Sequence, residues 1–501
     1  MPAKTSTRRP SKSRARNKKA GARTSRKPSP TNRRARKSRR TGKTTNPKIL
    51  LVNMIPKSLS GEEHQDSEPT IAVNPSNPLQ IAGSAFTPDP ARGPLAPIYV
   101  SLDGGNTWTL NSIVPGANRS TGTADITVQF SKTNSTLYAG ILRGDSRTTR
   151  LNILRTKDFA AAKPMEILVD RKNVDQPYVQ VSTVTSGANK GSDRVYVGNN
   201  DLNVSGSATI DQSLDGAAKK PNFKRIRIES RSTPGQDGPP VRPSIHLDGT
   251  AYATYHSWRS FNDKTGEGTA DIVVVRDDKG GNSSKPFTDL VDPDDGNAGV
   301  RVVQNTRFNF NGSLGAQRTG GDVALAVDPT NSDVVWVAYN DDQGPHYMLH
   351  VMRSTDRGRT WSKELRTIRN ALNPALAINA AGKLGLLYQQ LTGSGAGQRW
   401  ETKIELTTNG SNWNAFTLAT VPSATPKSTF DPYLGDYAHL MAVGKDFYGV
   451  FSTGNTPKKS NFPNGVVYQR NANWNSNTLL DVDNQSPVHS SIDPFFLKVS
   501  G

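Results

Sequence analysis

Short segments that alternate apolar and polar residues recur along most of the chain, and each leads into a turn rich in Pro, Asn or Gly. Alternation with a period of two predicts strands that bury one face. These segments recur roughly every 50 to 80 residues, which is the spacing of four-stranded repeat units with variable loops. The seven predicted first strands are Thr70–Val73, Asp125–Val128, Tyr178–Val181, Ser244–Leu247, Ala324–Val327, Ala375–Ile378 and Ala438–Leu440.

The second and third strands of each unit have their own signatures. A second strand combines an aromatic residue with small ones, as in Leu137–Gly140 and Val335–Ala338, so that neighbouring sheets can approach closely. The third strand ends in the pattern Ser-x-Asp-x-Gly-x-Thr-Trp, which is complete at Ser101–Trp108 and Ser354–Trp361. In this pattern the Asp accepts bonds from turn N–H groups, the Gly adopts positive φ and the Trp buries a large apolar surface. We interpret a weaker copy, Val466–Trp474, as the third strand and turn of the seventh unit.

Seven units of four strands predict an all-β fold, a seven-bladed β-propeller that spans residues 49–501. Radial closure covers most strand edges, and Ile49–Asn53 and Phe495–Val499 remain as strands that close the ring. Six blades stay an alternative, because the fourth unit carries a long irregular insertion from Asp292 to Gly320 and two units lack a recognisable turn.

Charge is concentrated at the start of the chain. The 501 residues carry a formal net charge of +20, and residues 1–48 hold 19 Lys and Arg with no Asp or Glu, which leaves residues 49–501 near neutrality. A segment this basic and this poor in apolar residues predicts a disordered arm. We expect the arm to bind a polyanion, either nucleic acid or an acidic polysaccharide, with an affinity that falls steeply in salt. A solvated arm that aids solubility is the alternative.

The composition limits other classes of chemistry. The chain has no Cys, which excludes disulfides, thiolate metal sites and a Cys nucleophile. We predict no metal site and no cofactor, since His346 and His350 share no metal-ligand spacing with nearby carboxylates. The run Ile49–Val52 is too short for a signal peptide or a membrane span. A soluble monomer without a membrane span is expected, and its compartment is left open.

The turn pattern resembles the Asp-box, or BNR repeat, of the sialidase-like β-propellers, and the resemblance extends over about residues 50 to 500. In that superfamily the Asp-box is a structural motif on the side opposite the active site. The resemblance also implies glycoside hydrolysis of the exo-α-sialidase type, which uses three arginines, a Tyr nucleophile activated by a Glu, and an Asp acid/base. The family's Arg-Ile-Pro-type motif is missing between Asp66 and Tyr99, where Arg92 is the only arginine, so the sequence leaves enzymatic activity open. The residues to which the resemblance gives structural roles are Asp103, Trp108, Asp356 and Trp361.

Candidate site residues lie just before or at the predicted first strands, where loops converge on the mouth of the central channel. Tyrosines and carboxylates there would supply a nucleophile, a sugar-stacking surface or an acid, and the arginines would grip a carboxylate or sulfate. Carboxylates that cap loop N–H groups and tyrosines that plug the channel are the alternative interpretation. The predicted catalytic residues are Asp431, Tyr433, Asp436 and Tyr437. The predicted substrate-binding residues are Asp66, Glu68, Asp125, Asp175, Arg242, Arg318 and Asp322.

Two functions are compatible with these patterns. The first is a sialidase-like propeller that recognises a glycan or another anionic ligand at its channel mouth, with hydrolysis left open, while its basic arm attaches to a polyanion. The alternative is a non-catalytic scaffold whose arm binds nucleic acid and whose propeller presents a protein-binding face.

Overall fold

The computed structural model describes residues 47–86, 98–116, 125–144, 149–231 and 241–501. The predicted basic arm lies outside these residues except for Pro47 and Lys48, and Arg92 lies outside them as well. The described part of the chain contains 34 strands and three one-turn 3-10 helices, so the all-β prediction is confirmed. No helix in this part is long and apolar enough to cross a membrane. The 3-10 helices are Lys57–Leu59, Gly395–Gly397 and Lys459–Asn461.

Six blades are antiparallel sheets, each made of four consecutive strands. Blade 1 comprises β2 (Ser67–Val73), β3 (Ile81–Phe86), β4 (Ile98–Ser101) and β5 (Thr109–Asn111). Blade 2 comprises β6 (Ile126–Phe130), β7 (Leu137–Gly144), β8 (Thr149–Thr156) and β9 (Glu166–Lys172). Blade 3 comprises β10 (Val174–Thr183), β11 (Asp193–Asp201), β12 (Ala208–Ser213) and β13 (Lys224–Arg227). Blade 4 comprises β14 (Arg242–Ile245), β15 (Ala251–Asn262), β16 (Glu267–Asp277) and β17 (Val300–Asn309). Blade 5 comprises β20 (Val323–Asp328), β21 (Asn331–Asp342), β22 (Tyr347–Ser354) and β23 (Arg366–Arg369). Blade 6 comprises β24 (Ala371–Ile378), β25 (Leu384–Thr392), β26 (Arg399–Thr407) and β27 (Asn414–Pro422).

The seventh blade joins strands from both ends of the propeller sequence. β1 pairs antiparallel with β34, from Ile49 opposite Val499 to Asn53 opposite Phe495. The prediction that these two segments close the ring is confirmed, and the number of blades is seven. The sheet is ordered β28 (His439–Val443), β29 (Asp446–Gly454), β34 (Ile492–Val499), β1 (Ile49–Asn53) and β30 (Val467–Tyr468).

One strand assignment in the seventh unit is wrong. The segment Val466–Trp474 was predicted to hold the third strand, but that position is taken by β34. To this sheet the segment contributes only the two-residue β30, at the outer edge and parallel to β1. The reason is burial, because seven of the eight residues of β34 are buried whereas Val467 is 45% exposed. β34, with Phe495, Phe496 and Leu497 buried in succession, fills the interior position of the sheet.

Two insertions leave the four-stranded pattern. The predicted irregular stretch Asp292–Gly320 contains β17, the fourth strand of blade 4, and a small hairpin of β18 (Ser313–Leu314) and β19 (Gln317–Arg318). This hairpin carries Arg318 toward the channel mouth. The second insertion, in blade 7, is a three-stranded sheet of β31 (Ala472–Asn473), β32 (Thr478–Leu480) and β33 (Pro487–Val488).

The apolar core is divided into layers between blades. Seven clusters of buried side chains each join one neighbouring pair of blades in the described part of the chain. The layer between blades 7 and 1 contains Val52, Ile71, Tyr99 and Phe496, so β1 and β34 are packed as firmly as the sheets in the middle of the sequence. The ring is therefore closed by the same kind of burial that holds every other pair of blades.

The innermost strands meet a different requirement, because each has one edge of backbone N–H groups without a strand partner. Side chains of the preceding blade accept several of these bonds. Thr70 Oγ1 accepts from the N–H of Val128 at 3.3 Å, and Thr127 Oγ1 accepts from that of Val179 at 2.9 Å. At the junction of blades 7 and 1, His439 Nδ1 accepts from the N–H of Ile71 at 3.1 Å. The channel wall is thus linked from blade to blade by polar side chains.

Strand direction separates two faces of the propeller. The first and third strands of a blade run the same way, so the residues that begin first strands and the turns that follow third strands lie at opposite ends. We call these ends the mouth face and the turn face. The predicted structural residues Asp103, Trp108, Asp356 and Trp361 are all on the turn face.

The two complete turns have the same internal bonds. Asp103 accepts from the backbone N–H of Thr107 at 2.9 Å and from its hydroxyl at 2.6 Å, and Trp108 Nε1 donates to Gly105 O at 3.1 Å. Asp356, Thr360 and Trp361 repeat this pattern at 2.9, 2.6 and 3.2 Å. Gly105 is required at φ +91, where a Cβ would lie 2.1 Å from the ring of Phe496. The assignment of these two turns as Asp-boxes remains a prediction.

Candidate active site at the channel mouth

Three blades begin their first strand with the same backbone irregularity. Glu68, Gln176 and Asn373 each precede a proline, have φ of +53, +54 and +55 respectively, and stand in a β-bulge of the first strand. Positive φ is uncommon for residues other than Gly, and a bulge redirects the side chain. Blades 1, 3 and 6 therefore place a polar side chain at the mouth by the same kind of β-bulge.

The bulges are held together across blade boundaries. Asn373 Nδ2 donates to Gln389 Oε1 at 2.9 Å and to Gly435 O at 3.0 Å. Gly435 has φ +95, and a Cβ there would lie 2.4 Å from the backbone nitrogen of Glu68. This close approach connects blade 6 to blade 1 through the segment that begins blade 7.

Two carboxyl groups meet at the centre of the mouth. Glu68 and Asp125 come from neighbouring blades, are 5% and 6% exposed, and are hydrogen-bonded to each other. Burial raises the pKa of Glu68 well above its usual value, and the nearby Asp125 charge adds to this effect. Burial also raises the pKa of Asp125, although the bond from Glu68 opposes the rise. Two like charges in contact cannot both ionise easily, so the second ionisation of the pair is shifted to higher pH, and Glu68 is the partner more easily protonated.

Tyr437 completes this part of the site. Its hydroxyl donates to Asp125 Oδ1 at 3.2 Å, and the side chain is buried. Burial, followed by the charges of Asp125 and Glu68, raises the pKa of Tyr437 well above 10. The phenol therefore stays protonated and acts as a hydrogen-bond donor toward the carboxyl pair.

Arg242 links the carboxyl pair to a third carboxyl. Its Nη2 donates to Asp322 Oδ1 at 3.1 Å, and its Nε donates to Val323 O at 3.1 Å. Its guanidinium carbon also lies 4.3 Å from the ring centroid of Tyr178 and 5.2 Å from that of Tyr437, which is cation–π geometry. Two guanidinium nitrogens and two aromatic contacts of this cation are thus engaged by groups of the protein.

Asp322 combines burial with an incomplete set of bonds. It is 3% exposed, and its Oδ2 is buried with no hydrogen-bond partner, whereas Oδ1 accepts from the N–H of Val323 at 2.7 Å. Burial raises the pKa of Asp322 to about 6, against the opposing effect of Arg242. A carboxyl with this pKa is protonated for much of the time in mildly acid solution.

A small recess opens beside this carboxyl. It measures about 10 Å³, and Arg318, Asp322, Asn373 and Asp436 are among its lining residues. That volume holds roughly one water molecule or one hydroxyl group. Arg318 closes one side by a bidentate ion pair with Asp436, in which Nε lies 3.0 Å from Oδ1. Their side chains are 40% and 23% exposed, so this pair faces solvent at the mouth.

The opposite wall contains a histidine that stays neutral. Burial lowers the pKa of His439 to about 3, and the charge of Arg242 lowers it further. Its Nδ1 accepts from Ile71, and its ring packs edge-on against Tyr178 at 5.8 Å between centroids. His439 therefore adds no charge to the site.

The structure brings together most of the predicted residues, but not all of them. Asp66 is buried away from the mouth cluster, with a carboxylate oxygen within 4.8 Å of those of Glu62 and Asp493. Tyr433 is 1% exposed and donates its hydroxyl to Pro426 O at 2.7 Å, in an apolar cluster. Asp431 is exposed at the surface. The residues that do converge are Glu68, Asp125, Asp175, Arg242, Arg318, Asp322, Asp436 and Tyr437.

Four polar residues of the site were not among the predicted ones. Tyr178 and His439 sit within predicted first strands, where alternation gives no sign of a charged neighbour. For Gln176 and Asn373, by contrast, the sequence contains a recognisable pattern. The doublets Glu68-Pro69, Gln176-Pro177 and Asn373-Pro374 repeat a polar residue before a proline at the start of a first strand. That repetition indicates a shared bulge.

No protein-family model matches the chain, and no curated protein matches it. Among solved structures the chain is similar to an α-L-arabinofuranosidase from Fusarium graminearum, with 10% identity, a TM-score of 0.39, and coverage of 90% of this chain and 98% of that one. The endosialidase of phage phi92 is similar at 11% identity and a TM-score of 0.39, over 90% of this chain and 69% of that one. Drosophila Semaphorin 2a is similar at 10% identity and a TM-score of 0.42, over 81% and 76%. At these identities and TM-scores, no role of these proteins is carried over to this chain.

Proposed function

We propose that the protein binds a neutral glycan at the channel mouth and hydrolyses a glycosidic bond there. One observation carries the proposal. The cluster gathers buried carboxyl groups whose pKa values are raised to different extents, while both of its arginines are bound to carboxyl groups of the protein itself. Glycoside hydrolysis needs one protonated and one ionised carboxyl on either side of the scissile bond.

The charge balance argues for a neutral ligand rather than an anionic one. Five carboxyl groups face two arginines in the cluster, and His439 is neutral. An anionic sugar would have to displace Asp322 from Arg242, or Asp436 from Arg318, and would leave a carboxylate without its partner. The Arg242–Asp322 contact is buried, so breaking it is costly, whereas the solvent-facing Arg318–Asp436 pair costs less to break. A neutral sugar avoids that cost and can donate its hydroxyl groups to the carboxylates.

Asp322 has the properties of the general acid. Its raised pKa keeps a proton available near pH 6, and Oδ2 is free of bonds to the protein. The adjoining recess accepts one hydroxyl or water beside that carboxyl. In the proposed step, Asp322 gives its proton to the glycosidic oxygen as the bond from that oxygen to the anomeric carbon breaks.

Asp125 is the matching base. It keeps the charge of the carboxyl pair because Glu68 is the partner more easily protonated, and the Tyr437 hydroxyl orients it. Asp125 takes a proton from water as the water oxygen bonds to the anomeric carbon, so proton transfer balances across the site. The high pKa of Tyr437 favours this supporting role over that of a nucleophile.

The test is hydrolysis by the full chain of a panel of neutral and sialylated oligosaccharides, together with aryl glycosides that have good leaving groups. We expect turnover of a neutral glycan that falls as pH rises through about 6, since Asp322 must be protonated. Asp125→Asn should lower kcat about 10²- to 10⁴-fold on every substrate. Asp322→Asn should do so on oligosaccharides but much less on aryl glycosides, because a good leaving group needs little acid assistance.

Asp356→Asn is the matched control, because it removes an aspartate charge on the turn face and should leave kcat unchanged. Turnover restricted to sialosides would contradict the neutral-ligand proposal. If Asp322→Asn lowered kcat equally on oligosaccharides and on aryl glycosides, the assignment of Asp322 as the acid would be contradicted.

A further inference from the structure

A separate cavity of about 360 Å³ lies on the turn face, between blades 3 and 4. We call it the turn-face cavity. Arg194, near the start of β11, forms its inner wall, and Gly249, Lys279 and Asn282 line it from blade 4. The loop between β10 and β11 lines it through Asn189. Nothing in the channel-mouth site uses these residues.

Arg194 is a buried cation without an anionic partner. It is 7% exposed, and no carboxylate of the described residues lies within ion-pair distance of its guanidinium. Its Nη1 donates to Gly249 O at 3.4 Å, a long bond, and its Nε is buried with no partner. It also lies beside the phenol of Tyr196. Burial of an unpaired charge is unfavourable, so a site of this kind gains from an anion.

The aspartates that also line the cavity are already engaged. Asp248 accepts from the N–H of Thr250 at 2.7 Å and from the hydroxyl of Ser332 at 2.6 Å. Asp278 pairs with Arg276 at 2.7 Å and with Arg357 at 2.6 Å. Neither carboxylate is thus available to Arg194.

A second cation and two glycines complete the site. Lys279 is exposed at the cavity, and its ammonium has no ion pair within the described residues. Gly249 and Gly280 have φ of +102 and +59, and a Cβ on either would lie 2.9 or 2.5 Å from Arg194 Nη1. Both positions therefore exclude larger residues and leave the guanidinium room against the backbone.

We propose that the turn-face cavity binds a small molecule that carries a phosphate or sulfate group. The planar fork of Arg194 suits the oxygens of such a group, and Lys279 supplies a second charge. Two cations match the charge of about −2 on a phosphate ester, and a sulfate ester, although it carries one charge like a carboxylate, offers the same tetrahedral set of three oxygens. The cavity exceeds the size of the anion alone, so the group belongs to a larger ligand that Asn189 and Asn282 contact.

The test uses thermal unfolding of the full chain in inorganic phosphate, sulfate or acetate at equal pH and ionic strength. We expect a saturable rise in Tm with phosphate or sulfate, little rise with acetate, and no specific rise in Arg194→Met. The larger of the two responses, to phosphate or to sulfate, shows which of these groups the ligand carries. Lys279→Met should weaken the effect about tenfold. Arg359→Met is the control, because Arg359 is exposed on the same face outside the cavity and its loss should change nothing.

The basic residues 1–48 also attract anions, so the difference between Arg194→Met and the wild type is the decisive quantity. In acetate, Arg194→Met should be at least as stable as the wild type, because the unpaired charge is removed. An equal response of the two proteins to phosphate and sulfate would overturn the proposal. If Arg194→Met does not fold, Arg194→Lys keeps the charge, and titration calorimetry with phosphate should then show weakened binding.

Discussion

The two faces of the propeller use acidic residues in opposite ways. On the turn face, Asp103 and Asp356 are partly exposed, and each is bonded to groups within four residues along the chain. Burial opposes the effect, but the hydrogen bonds lower the pKa of both groups below the usual value. On the mouth face, burial raises the pKa of Glu68, Asp125 and Asp322. Local bonds stabilise a carboxylate on the turn face, whereas burial, with added repulsion between carboxyls from several blades, stabilises the protonated form on the mouth face.

This contrast predicts that substitutions on the turn face lower the free energy of unfolding strongly but leave kcat unchanged. Trp108 is 2% exposed in the layer between blades 7 and 1, so Trp108→Ala should cost about 3 to 5 kcal/mol of unfolding free energy. Urea unfolding measures it. Trp361 is only half-buried, so Trp361→Ala should cost less, and either variant that folds should retain kcat. A loss of kcat beyond the loss of folded protein would contradict a purely structural turn face.

Titration of Asp322 on the mouth face should make the protein less stable as pH rises, whereas titration of the turn-face aspartates should make it more stable. The pKa of Asp322 is raised in the folded state, so its contribution to stability is complete below about pH 4 and is lost as pH rises through about 6. A shift of this size corresponds to about 3 kcal/mol at most. Asp322→Asn should therefore flatten the change in unfolding free energy between pH 4 and 6.5. Parallel pH profiles for variant and wild type would show that Asp322 does not titrate in this range.

The smallest expected effect shows whether the turns need the charge of the aspartate or only an oxygen that accepts hydrogen bonds. Asp103→Ala removes the acceptor for Thr107 and should cost about 1 to 2 kcal/mol. Asp103→Asn should cost less, because Asn409 occupies the same place in the turn that ends β26, where it accepts from the N–H of Asn412 at 3.0 Å. Since the pKa of Asp103 is lowered on folding, its contribution is present above about pH 4 and is lost as pH falls. Equal losses for both variants at pH 7 would show that the amide cannot replace the carboxylate.

The blades could be predicted because their signals are local. The alternation in Thr70–Val73 and the turn bonds of Asp103 both act within a few residues, so the sequence pattern contains the physical cause. The same reasoning failed at Val466–Trp474, where a plausible turn pattern was outweighed by the burial of β34, a competing strand.

The site was predicted as a set of residues but not as an arrangement. The ion pair of Arg318 with Asp436 joins residues 118 positions apart, and the bond from Tyr437 to Asp125 spans 312 positions. Whether an arginine is free for a substrate depends on these partners, and no local pattern records them. Arg242 and Arg318 each hold a carboxyl group of the protein, and these contacts favour a neutral ligand over the anionic one that the sequence predicts.

The pairing of β1 with β34 has a consequence for how the protein is made. The two strands lie about 440 residues apart in sequence, so at roughly 5 to 20 residues per second a ribosome finishes β34 about 20 to 90 seconds after β1. During that time Leu51 and Val52, both buried in the finished protein, have no sheet to join. Six blades can be synthesised while the ring is still open, and the nascent chain exposes an apolar edge that chaperones or a neighbouring nascent copy can bind before the ring closes.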